Sequence, residues 1–322
     1  MEYKFMSWKR NLILGTALAG ATTLTIHLIN KFVYFSATLD NLLSSPSGSY
    51  YEWKFGKIYY TESGEGKPVL LLHNLSTFSS GHEWHFVKEK LAKTNKVYCI
   101  DLLGCGRSDK PNLIYTNYLY VQLISDFIKH VVGEKCDVIA AGESGSFAVA
   151  ACQNDSSIID QIVMVNPSDI RYLSKSPSKR TKTLTRMINI PIFGTFLYNI
   201  LTQKKKIEKL YKEEYFYNKD LVTNSMIDTS YETSHSGNAA SKYLFASMAG
   251  RYTTVNIKHC MKELNNSIFI LIGDKTEEKE ESARLYQEIL PSIEIEYIKD
   301  SKELPQMECP DQFIEAIHTL LL

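Results

Sequence analysis

From residue 51 onward, short apolar runs of strand-like composition alternate with longer, helix-like segments. Eight runs are candidate strands: 51–55, 57–61, 68–73, 96–100, 136–141, 161–166, 267–272 and 293–298. The first two meet at Gly56 and are close enough to form a hairpin, whereas helix-length segments separate the later ones and indicate parallel crossovers. Continuous apolar runs such as VLLL and FILI suit strands covered on both faces. The pattern predicts a doubly wound, mostly parallel α/β sheet with helices on both faces.

Charge and composition narrow the classes of function. The 322 residues include 36 Lys plus Arg and 36 Asp plus Glu, so the zero net charge gives no support to a nucleic-acid partner. At 44% apolar and 22% charged residues, the chain has the composition of an ordered globular protein. The six cysteines form no CxxC pair, which indicates buried thiols rather than a disulfide scaffold or a metal site. No metal or organic cofactor is implied.

Residues 11–30 are weakly polar, are dominated by Leu, Ile and Ala with His27 as the only ionisable group, and are just long enough to cross a bilayer as a helix. Three basic residues precede this stretch and only Lys31 directly follows it, which places the domain on the outer face of the membrane. A cleaved signal peptide and an amphipathic arm packed on the domain are the alternatives. The predicted division is a tail and single-pass anchor over 1–35, a stalk over 36–50 and one domain over 51–322.

The fifth candidate strand runs into Gly142-Glu143-Ser144-Gly145-Ser146 and then an apolar helix. A strand, a sharp turn with small residues and a helix are what a nucleophile elbow requires. The pattern makes Ser144 the candidate catalytic nucleophile. The alternative is that Ser144 is only a turn or helix N-cap residue.

Several motifs in order make the chain similar to the α/β-hydrolase fold superfamily, in the branch of esterases, epoxide hydrolases and haloperoxidase-like enzymes. They are His73-Asn74 after the third strand, a helix near Trp84, and an Asp-x-x-Gly-x-Gly-x-Ser run at Asp101, Gly104, Gly106 and Ser108. The resemblance covers roughly residues 50–322. It implies an eight-stranded sheet and a helical cap inserted at about 168–258, over the active-site cavity.

The resemblance also implies an oxyanion hole beside the elbow. Its backbone donors would come from Gly145, after the nucleophile, and from Asn74 or Leu75 in the turn after the third strand. Asn74 replaces the usual Gly, so the turn must accept a side chain there. His73 and Glu143 would line the pocket.

Two triad positions depart from the family pattern. The family carries its catalytic Asp three residues after a Gly that ends the seventh strand, and here Gly273 is followed by Thr276 at that place. The family histidine position, read in register from the flanking Asp and Pro residues, holds Glu303. A serine hydroxyl needs a general base, and a carboxylate titrates far lower than imidazole. Glu303 itself or His235 in the cap would be an unconventional base.

Two functions therefore remain. The first is a non-catalytic or weakly catalytic protein that binds a small ester- or acyl-like ligand or an unknown protein partner. The second is an active, esterase-like serine hydrolase that uses Ser144 with an unconventional base. The cap also carries basic clusters, which are either a solvated helix face or a contact with anionic lipid headgroups.

Overall fold

The fold is given by a computed structural model that describes residues 2–44 and 48–321, with side chains from residue 8 onward. The strands are β1 Ser49–Trp53, β2 Gly56–Ser63, β3 Lys67–Leu72, β4 Asn95–Ile100, β5 Cys136–Ala141, β6 Ile159–Val165, β7 Ser267–Gly273 and β8 Glu294–Ile298. The helices are α1 Glu2–Ala37, α2 His85–Leu91, α3 Asn117–Phe127, α4 Ser144–Asn154, α5 Ile170–Leu173, α6 Lys179–Asn189, α7 Phe193–Leu201, α8 Lys204–Leu210, α9 Asn224–Ala239, α10 Lys242–Ala249, α11 Lys258–Glu263, α12 Glu277–Ile289, α13 Pro305–Glu308 and α14 Pro310–Leu320.

The eight strands form one sheet in the order β1-β2-β4-β3-β5-β6-β7-β8. β2 pairs antiparallel with β1 and β4, and every other neighbouring pair is parallel. The predicted fold class and all eight candidate strands are confirmed. Because the parallel strands end at one edge, the turns that follow β3, β5, β6, β7 and β8 are brought close together there.

Both faces of the sheet are covered by apolar side chains. On one face, Phe127 of α3 and Phe147 of α4 are fully buried within the larger core cluster. On the other face, Trp84 and Phe313 pack into a second cluster with α2 and α14. This two-sided burial is why β3, β5 and β7 are continuous apolar runs. It holds the strand ends, and so the turns beyond them, in fixed positions.

Between β6 and β7 the chain forms helices α5 to α10, which we call the helical insertion (170–249). The predicted helical character of this region is confirmed, while its role as a cap stays a prediction. Helix α9 is interrupted near its end by non-helical backbone at 236–238. A buried cluster that includes Ile207, Tyr211 and Phe216 joins the insertion to Leu304 and Met307 of the C-terminal region. The insertion is therefore packed against the sheet domain near the turn that follows β8.

Helix α1 is the one helix in the described residues that is long and apolar enough, over Trp8–Ala37, to cross a membrane. Residues 8–22 are exposed, and from Thr23 onward one side of α1 packs against α7 and α9. The alternative of a packed arm thus describes the second half of the helix. Helix α1 extends to Ala37 and β1 begins at Ser49, while residues 45–47 of the predicted stalk lie outside the described residues. The division into anchor, stalk and domain stays a prediction.

Candidate active site

The turn between β5 and α4 has the shape of a nucleophile elbow, and Gly142 occupies its left-handed position. β5 ends at Ala141, Gly142 has φ +55°, and Glu143 is already helical. The Gly142 N–H donates to the Val165 carbonyl at 2.9 Å and holds the turn against β6. A Cβ on residue 142 would lie 2.1 Å from Asn74 Oδ1. Glycine is therefore required here both by the backbone angle and by the side chain that faces it.

Ser144 lies two residues beyond this position, as the first residue of α4. Its side chain is fully buried, and its Oγ donates to the His73 carbonyl oxygen at 2.6 Å. The sequence pattern predicts that Ser144 itself occupies the strained turn position. The structure differs because a glycine two residues earlier takes the positive φ at lower conformational cost. No observation tests the catalytic role of Ser144, which stays a prediction.

The Asn74 side chain covers the backbone amide that follows the turn. Its Oδ1 accepts the Glu143 N–H at 3.1 Å, while the Asn74 N–H itself donates to Glu83 Oε2 at 3.0 Å. An oxyanion hole is built from the N–H after the turn residue and an N–H of the β3 turn. Here each of these amides already has a side-chain acceptor. Of the other two predicted donors, Leu75 is buried and Gly145 lies in the first turn of α4.

His73 is held in place through both ring nitrogens. Nε2 lies 3.0 Å from the Leu102 amide nitrogen and accepts its N–H, so Nδ1 carries the proton that is donated to the Asn74 carbonyl at 2.7 Å. Burial lowers the pKa of His73 below its usual value, which favours the neutral ring. His73 therefore braces the β3 turn against the loop after β4 and has no ring nitrogen left for a serine hydroxyl.

Two buried carboxyl groups flank this turn. Burial raises the pKa of Glu83 to about 7, with the Ser79 hydroxyl and the Asn74 N–H opposing the shift. Burial also raises the pKa of Glu143 to about 7, opposed by the Thr253 hydroxyl. Both acids therefore change charge near neutral pH. The predicted pocket residue Glu143 is 4% exposed, so its carboxyl group lies in the interior.

The two positions predicted for the triad acid and base lie on neighbouring strand ends. Thr276 precedes α12, and its Oγ1 has no hydrogen-bond partner among the described residues. Glu303, after β8, is 26% exposed and pairs with Lys279 Nζ at 3.1 Å. Burial raises the pKa of Glu303, and Lys279 opposes that shift. Lys279 Nζ also donates to the Asn166 carbonyl at 3.0 Å, so the cation joins the ends of β6 and β8.

His235, the other candidate base, lies in a separate environment inside the helical insertion. Its Nδ1 is 2.8 Å from Ser234 Oγ and 2.9 Å from the Tyr231 carbonyl, and its Nε2 is 3.4 Å from Thr202 Oγ1. Burial lowers its pKa. The hydrogen bonds recorded for its ring are all to residues of the insertion.

Sequence reasoning missed the residues that connect these turns. Asn166, with φ +44°, donates through Nδ2 to the Lys302 and Glu303 carbonyls at 2.7 and 3.0 Å. Its place directly before Pro167 at the end of β6 was the available clue. Lys279 follows Thr276 by one helical turn, which was the clue for its ion pair. No group of three or more His, Cys, Asp or Glu side chains in the described residues is arranged to hold a metal.

Comparison with known proteins agrees with this architecture. A model of the alpha/beta hydrolase family matches residues 69–316. The chain belongs to that family. A 2-hydroxy-6-oxo-6-(2'-aminophenyl)hexa-2,4-dienoic acid hydrolase from Metapseudomonas resinovorans is 27% identical over 34% of this chain and 39% of its own length. The match therefore spans well under half of that relative.

Longer matches are more distant in sequence. A proline iminopeptidase from Heyndrickxia coagulans is 21% identical over 81% of this chain and 93% of its own length. Among solved structures, the meta-cleavage product hydrolase from Pseudomonas fluorescens IP01 superposes with a TM-score of 0.69 at 18% identity, over 85% of this chain and 97% of that one. These likenesses show the fold.

Proposed function

We propose that this chain is a membrane-anchored member of the alpha/beta hydrolase family with little or no hydrolytic turnover. It binds a small ester- or acyl-like molecule or a protein partner at the elbow side of the sheet. Helix α1 is the anchor, the domain lies on the outer face of the membrane, and the helical insertion serves as the cap over the ligand.

The observation that carries the proposal is the contact between Asn74 and the elbow. The Asn74 carboxamide fills the volume that a side chain on residue 142 would occupy, and it accepts the Glu143 N–H. The Glu143 N–H is the donor that follows the turn residue Gly142, so an oxyanion formed at the turn would have to displace that carboxamide to reach it, and Gly142 itself carries no nucleophilic side chain. A donor that is already satisfied in the ground state stabilises a transition state poorly, and one oxyanion donor contributes about 10²–10³ in kcat.

The charge state at Glu303 supports the same conclusion. Burial raises the pKa of Glu303, but its ion pair with Lys279 favours the ionised form and so opposes transfer of a proton to the carboxylate. Thr276 has no charge with which to orient a histidine, even if one were supplied. General acid–base catalysis contributes about 10²–10⁴ in rate, so a site without it turns over slowly at best.

The alternative is an active serine hydrolase that uses Ser144. Its support is membership of a family whose named relatives are hydrolases. Against it stands the Ser144 hydroxyl, which is fully buried and already donates to the His73 carbonyl. Neither Glu303 nor His235 has a recorded hydrogen bond to that hydroxyl in the described residues.

A fluorophosphonate probe distinguishes the two functions, because it reacts covalently with activated serines. We expect the folded wild-type chain in detergent to be labelled no more than the Ser144→Ala variant, with an active esterase as a positive control. Labelling of wild type that Ser144→Ala abolishes would establish the alternative. Protease digestion of intact cells tests the anchor, since a domain on the outer face is cleaved and a protected domain contradicts the orientation.

A further inference from the structure

The exposed part of α1 is too short to cross a bilayer by itself. The apolar stretch begins at residue 11, after Lys9 and Arg10, and the helix is exposed on all sides only to residue 22. These twelve residues rise about 18 Å, whereas the hydrocarbon core is about 30 Å thick. A spanning segment over 11–30 therefore runs for its last eight residues, about 12 Å, beside the helical insertion.

At the end of that segment, Asn30 lies beside the turn between α6 and α7. Asn30 Nδ2 donates to the Ile192 carbonyl at 2.9 Å, and Asn199 Nδ2 donates to Asn30 Oδ1 at 2.9 Å. Ile192 has φ +63° and ψ −64°, and the Phe193 N–H donates to the Pro191 carbonyl at 2.7 Å. This is a strained three-residue turn, rare for a β-branched residue. The Ile192 carbonyl of this strained turn accepts the hydrogen bond that holds the turn beside Asn30.

The outer side of this turn is apolar and exposed. Met187 is 52% exposed, and Ile190 and Phe193 are each 48% exposed. We call these three side chains with Pro191 the α6–α7 tip. Large apolar side chains clustered at one corner of a domain are typical of a surface that contacts a partner or a membrane. Here the corner adjoins a helix that is itself apolar and long enough to span a bilayer.

The segment that contains the tip is positively charged. Residues 175–206 contain eight Lys or Arg and no Asp or Glu, although the chain as a whole has no net charge. Four of these lie exposed on α6: Lys179, Arg180, Lys182 and Arg186. None of the four forms an ion pair with another described residue. At a lipid surface, apolar side chains of this kind contact the boundary of the acyl chains, and the basic side chains beside them bind anionic headgroups.

We propose that the α6–α7 tip inserts into the headgroup region of the bilayer that α1 crosses, with the basic face of α6 on anionic phospholipids. This inference rests on the anchor proposed above. The insertion is then held against the membrane at two points, α1 and the tip, which are locked together through Asn30. An insertion depth of about 5–10 Å, typical for interfacial segments, is within the length of about 12 Å over which α1 runs beside the insertion.

The test measures the depth of the tip in a bilayer. The full chain is reconstituted into vesicles of phosphatidylglycerol and phosphatidylcholine, with or without bromine on the phosphatidylcholine acyl chains. A Phe193→Trp variant reports the tip. A Tyr297→Trp variant, 42% exposed on the edge strand β8, is the matched control. Both are read as the difference from the parent chain, which removes the signal of Trp8, Trp53 and Trp84.

We expect brominated lipid to quench the added fluorescence of Phe193→Trp at least twofold more than that of Tyr297→Trp. Replacing the four basic residues of α6 by Gln should reduce this quenching in vesicles that contain phosphatidylglycerol. If the chain stays with the vesicles after a carbonate wash but Phe193→Trp is quenched no more than the control, the tip proposal is wrong and the anchor stands. If the chain is washed off, the anchor itself fails.

The alternative to lipid is self-association, in which a second copy of the chain covers the apolar tip. In that case Phe193→Trp would escape the brominated lipid, and the wild-type chain in detergent would form dimers that a Phe193→Asp variant lacks. That pair of results would overturn the lipid proposal in favour of self-association. Because the side chain of Phe193 is half exposed, we expect both substitutions to leave the fold intact.

Discussion

The Gly142→Ser substitution tests the contact on which the proposed loss of activity depends. At φ +55° any side chain costs about 1–2 kcal/mol. The new Cβ would also lie 2.1 Å from Asn74 Oδ1, so the carboxamide has to move. The Glu143 N–H then loses its acceptor in the interior, at about 1–3 kcal/mol. We expect Gly142→Ser to lower the free energy of unfolding by about 2–5 kcal/mol.

A second substitution separates the steric part from the backbone part. Asn74→Gly removes the carboxamide and leaves the Glu143 N–H unpaired, which should cost about 1–3 kcal/mol alone. In the double variant the new side chain on residue 142 gains the vacated volume, so the collision no longer contributes. We therefore expect the double variant to be more stable than the sum of the single effects predicts, by at least about 1 kcal/mol.

Gly133→Ser is the matched control, since Gly133 has φ +78° but no atom within 4 Å of a built Cβ. It should cost only the backbone term, about 1–2 kcal/mol. Urea unfolding of the full chain in mild detergent, followed by tryptophan fluorescence to which the buried Trp84 contributes, gives all four values. The reasoning is refuted if Gly142→Ser costs no more than Gly133→Ser, or if it shows no coupling to Asn74→Gly.

Three further substitutions test the electrostatics and the stalk. Folding raises the pKa of Glu143 from 4.5 to about 7, so the stabilisation by its protonated form is complete below pH 4.5 and is lost as pH rises to 7. Relative to the Glu143→Gln variant, the free energy of unfolding of wild type should fall by roughly 3 kcal/mol over that range in urea titrations. Lys279→Met leaves the Glu303 carboxylate without its cation, and should lower thermal stability by about 1–3 kcal/mol at pH 8 but much less at pH 4, where Glu303 is protonated. Glu232 accepts the amides of residues 42 and 43, so Glu232→Ala should speed their hydrogen exchange at least tenfold, and unchanged exchange would contradict this anchoring of the stalk.

The sheet could be predicted because its determinants are local. Each strand is a short apolar run, and the runs are bounded by Gly, Asn or Asp residues. The spacing between runs then decides between a hairpin and a parallel crossover. For the same reason the N-terminal helix and the helical character of the insertion followed from composition alone.

The sequence alone does not decide which residue occupies the sharp turn. Two overlapping patterns both have small residues two positions before and two positions after the turn residue. Gly142 and Ser146 flank Ser144, but Ala140 and Ser144 flank Gly142 equally well. The choice depends on Asn74, which lies far away in the chain and whose side chain fills the space over Gly142. A pattern of small residues contains no information about that contact.

The ion pair of Glu303 and the particular contacts that hold α1 could not be predicted, for a related reason. Lys279 and Glu303 lie on different elements, and only the sheet order places β7 beside β8 and brings them together. In the sequence Asn30 only marks the end of the predicted spanning stretch. In the structure its carboxamide forms hydrogen bonds with Ile192 and Asn199 of the insertion. Polar contacts between distant segments follow from the fold, so they become visible only after the fold is known.

The rate of ester hydrolysis tests the central claim most directly. Purified wild type and Ser144→Ala in detergent are compared on short-chain p-nitrophenyl esters, with matched circular dichroism to show that both are folded. We predict that the two rates agree within twofold and stay near that of a heat-denatured sample. A wild-type rate about 10³ or more above that of Ser144→Ala would show that the serine is activated, and would contradict the account.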